Sequence, residues 1–250
     1  MIKHSLKEAF RLALRSKTEC LAYLFALALS EALVFALCRR FGVDYPLRSS
    51  GPEAGRLIYL AAFSAPAVFI TAWFGAGLVG RISMDAFKGS PDSMISYANG
   101  WFVRNLIGTV LIAAAAFLPA VFVAFLPKDF AAVVMMAWFL FFIWLAIRVS
   151  LWPNIMFIEG LGPVAAMQRS YRASEGHVVP LALLSLPLFA RVLWEIGPQH
   201  LAAENIALVN ILKILLIGLA TLIQIGALAT AYLTIKQGAP ASAGNTQAAS

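Results

Sequence analysis

The chain has 250 residues, of which 61% are apolar and 12% are charged, and its mean hydropathy is +0.83. Soluble proteins are about 45–50% apolar and about 25% charged, so this composition excludes a soluble globular domain, a disordered chain and a secreted disulfide scaffold. The net charge is +7, but the basic residues are scattered between apolar runs, which argues against nucleic acid as a partner. The composition predicts an all-α integral membrane protein that crosses the bilayer several times.

The N-terminal residues 1–19 form the first predicted element, an amphipathic helix lying in the cytoplasmic membrane interface. Apolar and basic side chains alternate at helical spacing and take opposite faces of such a helix. The apolar face holds Ile2, Leu6, Ala9, Phe10, Ala13 and Leu14, and the polar face holds Lys3, Lys7, Glu8, Arg11 and Arg15.

Six segments that follow are long and apolar enough to cross about 30 Å of hydrocarbon, which takes about 20 residues of helix. They lie near residues 20–38, 57–80, 103–126, 130–152, 177–196 and 206–235. The sequence therefore predicts a six-span helical bundle over residues 20–236. Residues 237–250 consist mainly of Ala, Ser, Gly, Pro, Asn and Gln, and they predict a disordered tail.

The distribution of lysine and arginine among the loops predicts the orientation of the bundle. Twelve of the 19 basic residues lie on the side that holds both termini. Because cytoplasmic loops carry an excess of Lys and Arg, we expect both termini in the cytoplasm. The basic loops would then face the anionic headgroups of the inner leaflet.

Residues 148–176 read RVSLWPNIMFIEGLGPVAAMQRSYRASEG. Pro153, Glu159-Gly160, Ala165-Ala166, Arg169-Ser170 and Gly176 resemble a pattern in the glycerophosphoryl diester phosphodiesterase membrane-domain group and its uncharacterised relatives. The N-terminal helix with Phe10, Arg11 and Arg15 is also similar to that group. The resemblance implies a multi-pass protein of the bacterial inner membrane. In fused members a catalytic domain follows the membrane domain, and this chain stops at residue 250, so the resemblance implies a stand-alone membrane domain.

The same segment predicts a turn around a charged residue. Pro153 lacks a backbone donor and ends or kinks the fourth span, and Gly176 supplies a left-handed residue that closes a short helix. Val164, Met167 and Tyr171 give that helix an apolar face. Glu159 needs a cation nearby, because an unpaired carboxylate there is costly; the candidates are Arg148, Arg169 and Arg172. Both a structural ion pair and a substrate or headgroup site fit this pattern.

Polar and small residues within the predicted spans complete the set of candidates. Glu31 lies near the middle of the first span, where an ionisable residue marks either a function or a helix–helix contact. Gln224 in the sixth span is a candidate partner for it. Ala72, Ala76 and Gly80 form a stripe of small residues on the second span, which predicts close helix packing within the bundle or against a second protein.

No pattern in the sequence predicts catalysis. The histidines lack metal-ligand spacing, there is no Gly-x-Ser-x-Gly turn and no phosphate-binding glycine loop, so no catalytic residue, metal or cofactor is predicted. Two functions stay open: a non-catalytic membrane scaffold or partner subunit in envelope homeostasis, and a transporter or lipid-handling protein that uses polar residues within the bundle. The expected partners are anionic lipid and either a second copy of the chain or another membrane protein.

Overall fold

The computed structural model describes residues 1–41, 54–89, 92–123, 127–186 and 206–238. Throughout these ranges the regular structure is helical, with no strand, which confirms the predicted all-α class. The helices are α1 (Ile2–Arg15), α2 (Lys17–Phe41), α3 (Ala54–Lys88), α4 (Met94–Val123), α5 (Lys128–Val149), α6 (Trp152–Glu159), α7 (Pro163–Ala173), α8 (the described helical residues 178–186) and α9 (Ile206–Gly238).

Three helical segments of the described chain are long and apolar enough to cross a membrane. They are Lys17–Leu37, Phe130–Glu159 and Ile214–Gly238. Helices α3 and α4 overlap the second and third predicted spans but begin before them, and the fifth predicted span is described only to residue 186. The six-span bundle therefore stays a prediction. Helix α9 continues three residues beyond the predicted end of the sixth span, and residues 239–250 of the predicted tail lie outside the described residues.

Part of the buried core lies where α6 packs against α3, α7 and α9, and the start of α4 adds the contact of Tyr97 with Phe157. One cluster joins Leu151, Ile155 and Met156 to Leu228 and Tyr232 of α9. The other cluster lies between α1, α2, α3, α4 and α9, and it contains Leu12, Cys20, Tyr23, Leu78, Ile82, Met94 and Leu222. Because the short helix α6 is surrounded by longer ones, six of its eight residues are buried.

Helix α5 has the opposite character, because none of its most apolar stretch is buried. Its outward-facing side chains include Phe130, Val133, Met136, Phe139 and Leu140. An apolar helix with this exposure fits a lipid environment, since contiguous apolar surface of this kind is rare on soluble monomers.

The predicted small-residue stripe lies partly at a tight contact inside the bundle. Ala76 and Gly80 are buried, whereas Ala72 is only partly buried. A Cβ atom on Gly80 would lie 2.7 Å from the Phe157 ring and 2.7 Å from Cβ of Tyr97. Glycine is therefore required where α3 meets α4 and α6.

Helix α1 packs on the bundle mainly through small residues, and Leu12 is the large apolar side chain that it buries. Ser5, Ala9 and Leu12 are its buried residues. Ala9 lies against Gly226 of α9, where an added Cβ would come within 3.0 Å of Cα of Ala9. The larger apolar side chains Leu6, Phe10 and Leu14 stay exposed, as expected for a helix whose apolar face meets lipid.

Candidate functional site at the junction of α6, α7 and α9

The site begins at the break between α5 and α6. Pro153 has no N–H, so the carbonyl of Val149 loses the donor that a continuous helix would give it. Two neighbouring backbone groups at the break are bonded by the buried Ser170 hydroxyl of α7. It accepts a hydrogen bond from the N–H of Leu151 at 3.2 Å and donates one to the carbonyl of Arg148 at 2.9 Å. These two hydrogen bonds hold α7 against the break.

Glycines set the two turns that flank α7. Gly160, directly after Glu159, has φ +70°, and Gly176 has φ +74°, the left-handed conformation predicted for it. Both values lie in the region that glycine adopts without steric penalty. As a result α6 stops at Glu159, and α7 folds back beside it.

The apolar face predicted for α7 differs from the face that is buried. Val164 is 53% exposed, and Tyr171 is also exposed, whereas the buried residues of α7 are Ala166 and Ser170. The physical reason is the Ser170 hydroxyl, which reaches two backbone groups of the break only if the small-residue side of α7 approaches closely.

Glu159 is the centre of the junction. Its Oε1 accepts a hydrogen bond from the Tyr232 hydroxyl and another from Lys236 Nζ at 2.9 Å. Its Oε2 lies 3.6 Å from Nε of Arg169. The Glu159 side chain is 16% exposed and Tyr232 is 1% exposed. One carboxylate therefore links α6, α7 and α9, and Tyr232 and Lys236 on α9 are partners that the sequence interpretation did not name.

The other two predicted partners of Glu159 lie elsewhere. The guanidinium of Arg148 is 4.0 Å from the centroid of the Tyr171 ring and 5.6 Å from that of Trp144, which is cation–π geometry. Arg172 is exposed and lies in the wall of a cavity beside the junction. Among the three candidates, the described structure places only Arg169 against Glu159.

A cavity of about 560 Å³ opens beside this junction. Arg169 and Arg172 from α7 and Lys236 from α9 line it, together with Glu175 and His177. Three basic side chains with exposed or partly exposed ends can bind phosphate or carboxylate groups. Within the described ranges no group of three or more His, Cys, Asp or Glu residues is placed to hold a metal ion.

The remaining two candidates lie apart from the junction. The backbone of Glu31 belongs to α2, but its side chain lies outside the described part of the structure. Gln224 lines a second cavity, of about 240 Å³, at the α5–α6 break. Ser150, Asn154 and Ser185 share that cavity wall with it. The described residues therefore do not test the predicted contact between Glu31 and Gln224.

The chain was compared with known proteins at three levels. No family model matches it, no curated protein matches it and no solved structure matches it. The similarity of residues 148–176 to the phosphodiesterase membrane-domain group therefore stays a prediction.

Proposed function

We propose that the chain is a non-catalytic, multi-pass protein of the bacterial inner membrane. It acts as a scaffold or partner subunit in envelope homeostasis, with six spans and both termini in the cytoplasm. The end of the bundle that carries Arg169, Arg172 and Lys236 lies against anionic headgroups. Three apolar helices support the membrane location.

The observation that carries the proposal is the basic junction around Glu159. Arg169 and Lys236 each pair with Glu159 but are about half exposed, at 52% and 42%, so each can also meet a ligand. Arg172 adds a third cation to the same cavity wall, against the single carboxylate of Glu175. The Glu159 carboxylate thus holds α7 and α9 so that their basic side chains face one cavity. Several basic groups close together favour binding of an anionic headgroup.

The packing of α1 supports the same function. Its contact with α9 through Ala9 and Gly226 fixes it at the end of the bundle where Lys236 lies. It still exposes the apolar side chains Leu6, Phe10 and Leu14. A docked helix with exposed apolar residues and flanking lysines forms a platform that rests in a charged membrane interface.

The test compares lipid binding by matched charge variants. The full-length protein is placed in nanodiscs of phosphatidylcholine with or without phosphatidylglycerol, and the retained lipids are counted by native mass spectrometry. Each Lys or Arg near an anionic surface contributes about 1 kcal/mol. Arg172→Gln should therefore bind phosphatidylglycerol about fivefold more weakly than the wild type. Arg104→Gln, which removes an exposed arginine that stacks on Trp101 of α4, is the control and should bind normally.

Equal losses in both variants would show that only total charge matters and would contradict a site at the junction. A second measurement separates a scaffold from a lipid-handling protein. Proteoliposomes containing the wild type should not accelerate the movement of a fluorescent phosphatidylglycerol analogue between leaflets. If the wild type accelerates this movement and Arg172→Gln does not, the scaffold function is refuted and the lipid-handling function is supported.

A further inference from the structure

His177 lines the basic cavity beside Glu159. It lies between Gly176, which closes the turn after α7, and residue 178, where α8 begins. The residue is partly exposed. Histidine is the side chain whose charge ordinarily changes between pH 5 and 8, so the wall that meets the headgroup contains a group that responds to pH in this range.

One hydrogen bond decides where the proton of the neutral ring lies. Nδ1 of His177 is 2.9 Å from the backbone carbonyl oxygen of Glu175. A carbonyl oxygen can only accept, so Nδ1 carries the proton and donates it. Nε2 is then the bare nitrogen of the neutral ring, and no residue of the described chain is hydrogen-bonded to it. When the pH falls, Nε2 gains the proton and becomes an N–H donor with a positive charge.

Several other charged or titratable groups face the same cavity. They come from α7, the turn after it, α9 and the start of the chain, and they are Arg169, Arg172, Glu175, Tyr232, Lys236 and the amino group of Met1. Arginine, lysine and tyrosine ordinarily titrate at about pH 10 or above, and glutamate at about pH 4.3. Between pH 5.5 and pH 8 the charge in this wall therefore changes at the imidazole and at the amino group, which an experiment has to separate.

We propose that His177 makes headgroup binding at the basic junction depend on pH. The protonated ring donates from Nε2 to a phosphate oxygen of the headgroup and adds a positive charge to those of Arg172 and Lys236. The bare Nε2 of the neutral ring has no proton to donate to that oxygen. Since protonation and binding favour each other, the site holds an anionic headgroup more tightly as the pH falls. This inference rests on the proposed function, because it needs the headgroup in the cavity.

The test measures binding of phosphatidylglycerol at two pH values. The full-length protein in nanodiscs of phosphatidylcholine and phosphatidylglycerol is equilibrated at pH 8 or pH 5.5, and the retained lipids are counted by native mass spectrometry. The phosphodiester of this lipid keeps its single negative charge at both values, so a difference comes from the protein. One more basic group near an anionic surface contributes about 1 kcal/mol, so the wild type should bind about fourfold to fivefold more tightly at pH 5.5.

Two substitutions at His177 make the test specific. His177→Gln removes the imidazole and should bind at both pH values as weakly as the wild type does at pH 8. His177→Arg carries a permanent charge and should bind at pH 8 as tightly as the wild type does at pH 5.5. Should His177→Gln fold poorly, His177→Arg alone decides the outcome. The amino group of Met1 is present in every variant, so a rise that it causes would persist in both.

His4→Gln is the matched control, because His4 is an exposed histidine of α1 that does not line the cavity. It removes an imidazole from the same protein and should keep the full rise in binding at pH 5.5. A loss of the rise in His4→Gln as well as in His177→Gln would make total surface charge the cause and would overturn the inference.

The inference is also overturned if the wild type binds equally at the two pH values, or if either His177 variant keeps the wild-type rise. These results leave the proposed function standing as long as Arg172→Gln binds more weakly than Arg104→Gln. Equal binding by those two arginine variants, or no retained phosphatidylglycerol at either pH, refutes the headgroup site itself and the pH dependence with it.

Discussion

Replacing Glu159 by alanine should lower the free energy of unfolding by about 2–4 kcal/mol. The Tyr232 hydroxyl, buried with its side chain 1% exposed, would lose its acceptor, and an unpaired buried hydroxyl costs about 1–3 kcal/mol. The pairs with Arg169 and Lys236 are partly exposed and together add about 1 kcal/mol. Reversible unfolding in mixed micelles, followed by circular dichroism, measures this loss, which should appear with or without added lipid.

A double-mutant cycle isolates the Tyr232 contribution. In a Tyr232→Phe protein no hydroxyl is left unpaired, so Glu159→Ala should then cost only about 1 kcal/mol. Glu8→Ala removes a carboxylate from an exposed pair with Arg11 and should change stability by less than about 0.5 kcal/mol. Equal losses for Glu159→Ala in both Tyr232 backgrounds, or a loss no larger than that of Glu8→Ala, would refute the reasoning.

Three further substitutions probe the packing around this site, each measured by Tm or by proteolysis. Gly80→Ala should lower the free energy of unfolding by about 1–3 kcal/mol, because the new Cβ meets Phe157 and Tyr97 at 2.7 Å. Gly100→Ala, in open space on α4, should instead raise it by about 0.5–1 kcal/mol. Similar effects at both positions would contradict the close contact. Ser170→Ala should cost about 1–3 kcal/mol, since two backbone groups of the α5–α6 break lose their partner, and an unchanged Tm would show that the break needs no cap. Ala9→Leu should displace α1 from Gly226 and speed trypsin cleavage at Lys7 and Arg11, while Phe10→Leu on the exposed face should cleave at the wild-type rate.

Features that depend on backbone chemistry at a single residue could be predicted from the sequence. Pro153 cannot donate a hydrogen bond, and α5 ends just before it. Gly176 adopts the left-handed φ that closes the turn after α7. The apolar stretches of α2, α5 and α9 follow from composition alone.

The partners of Glu159 could not be predicted in the same way. Proximity along the chain suggested Arg148, Arg169 and Arg172, of which only Arg169 lies against Glu159. Lys236 is 77 residues from Glu159, and Tyr232 is 73 residues away. Nothing local in the sequence indicates that the end of α9 reaches the end of α6.

Periodicity also identified the amphipathic helices but not the side that packs. In α1 and α7 most of the large apolar residues face outward, with Leu12 the buried exception, and serines and alanines make most of the protein contact. A soluble protein would bury the large side chains. Where lipid replaces water, large apolar groups lose little by exposure, and small residues give closer backbone contact. The exposed large apolar residues of such a helix therefore indicate the lipid side, and its small residues indicate the core.

The break between α5 and α6 has a consequence for bilayer thickness. The apolar segment Phe130–Glu159 has 30 residues, so as one straight helix it would be about 45 Å long, well beyond a hydrocarbon layer of about 30 Å. Helix α5 alone, at 22 residues, is about 33 Å long and matches that layer. Beyond the break, α6 is buried among other helices, whereas the most apolar stretch of α5 is not. When α5 spans a bilayer, burial of α6 within the protein shortens the apolar segment that lipid must cover and so lowers the hydrophobic mismatch.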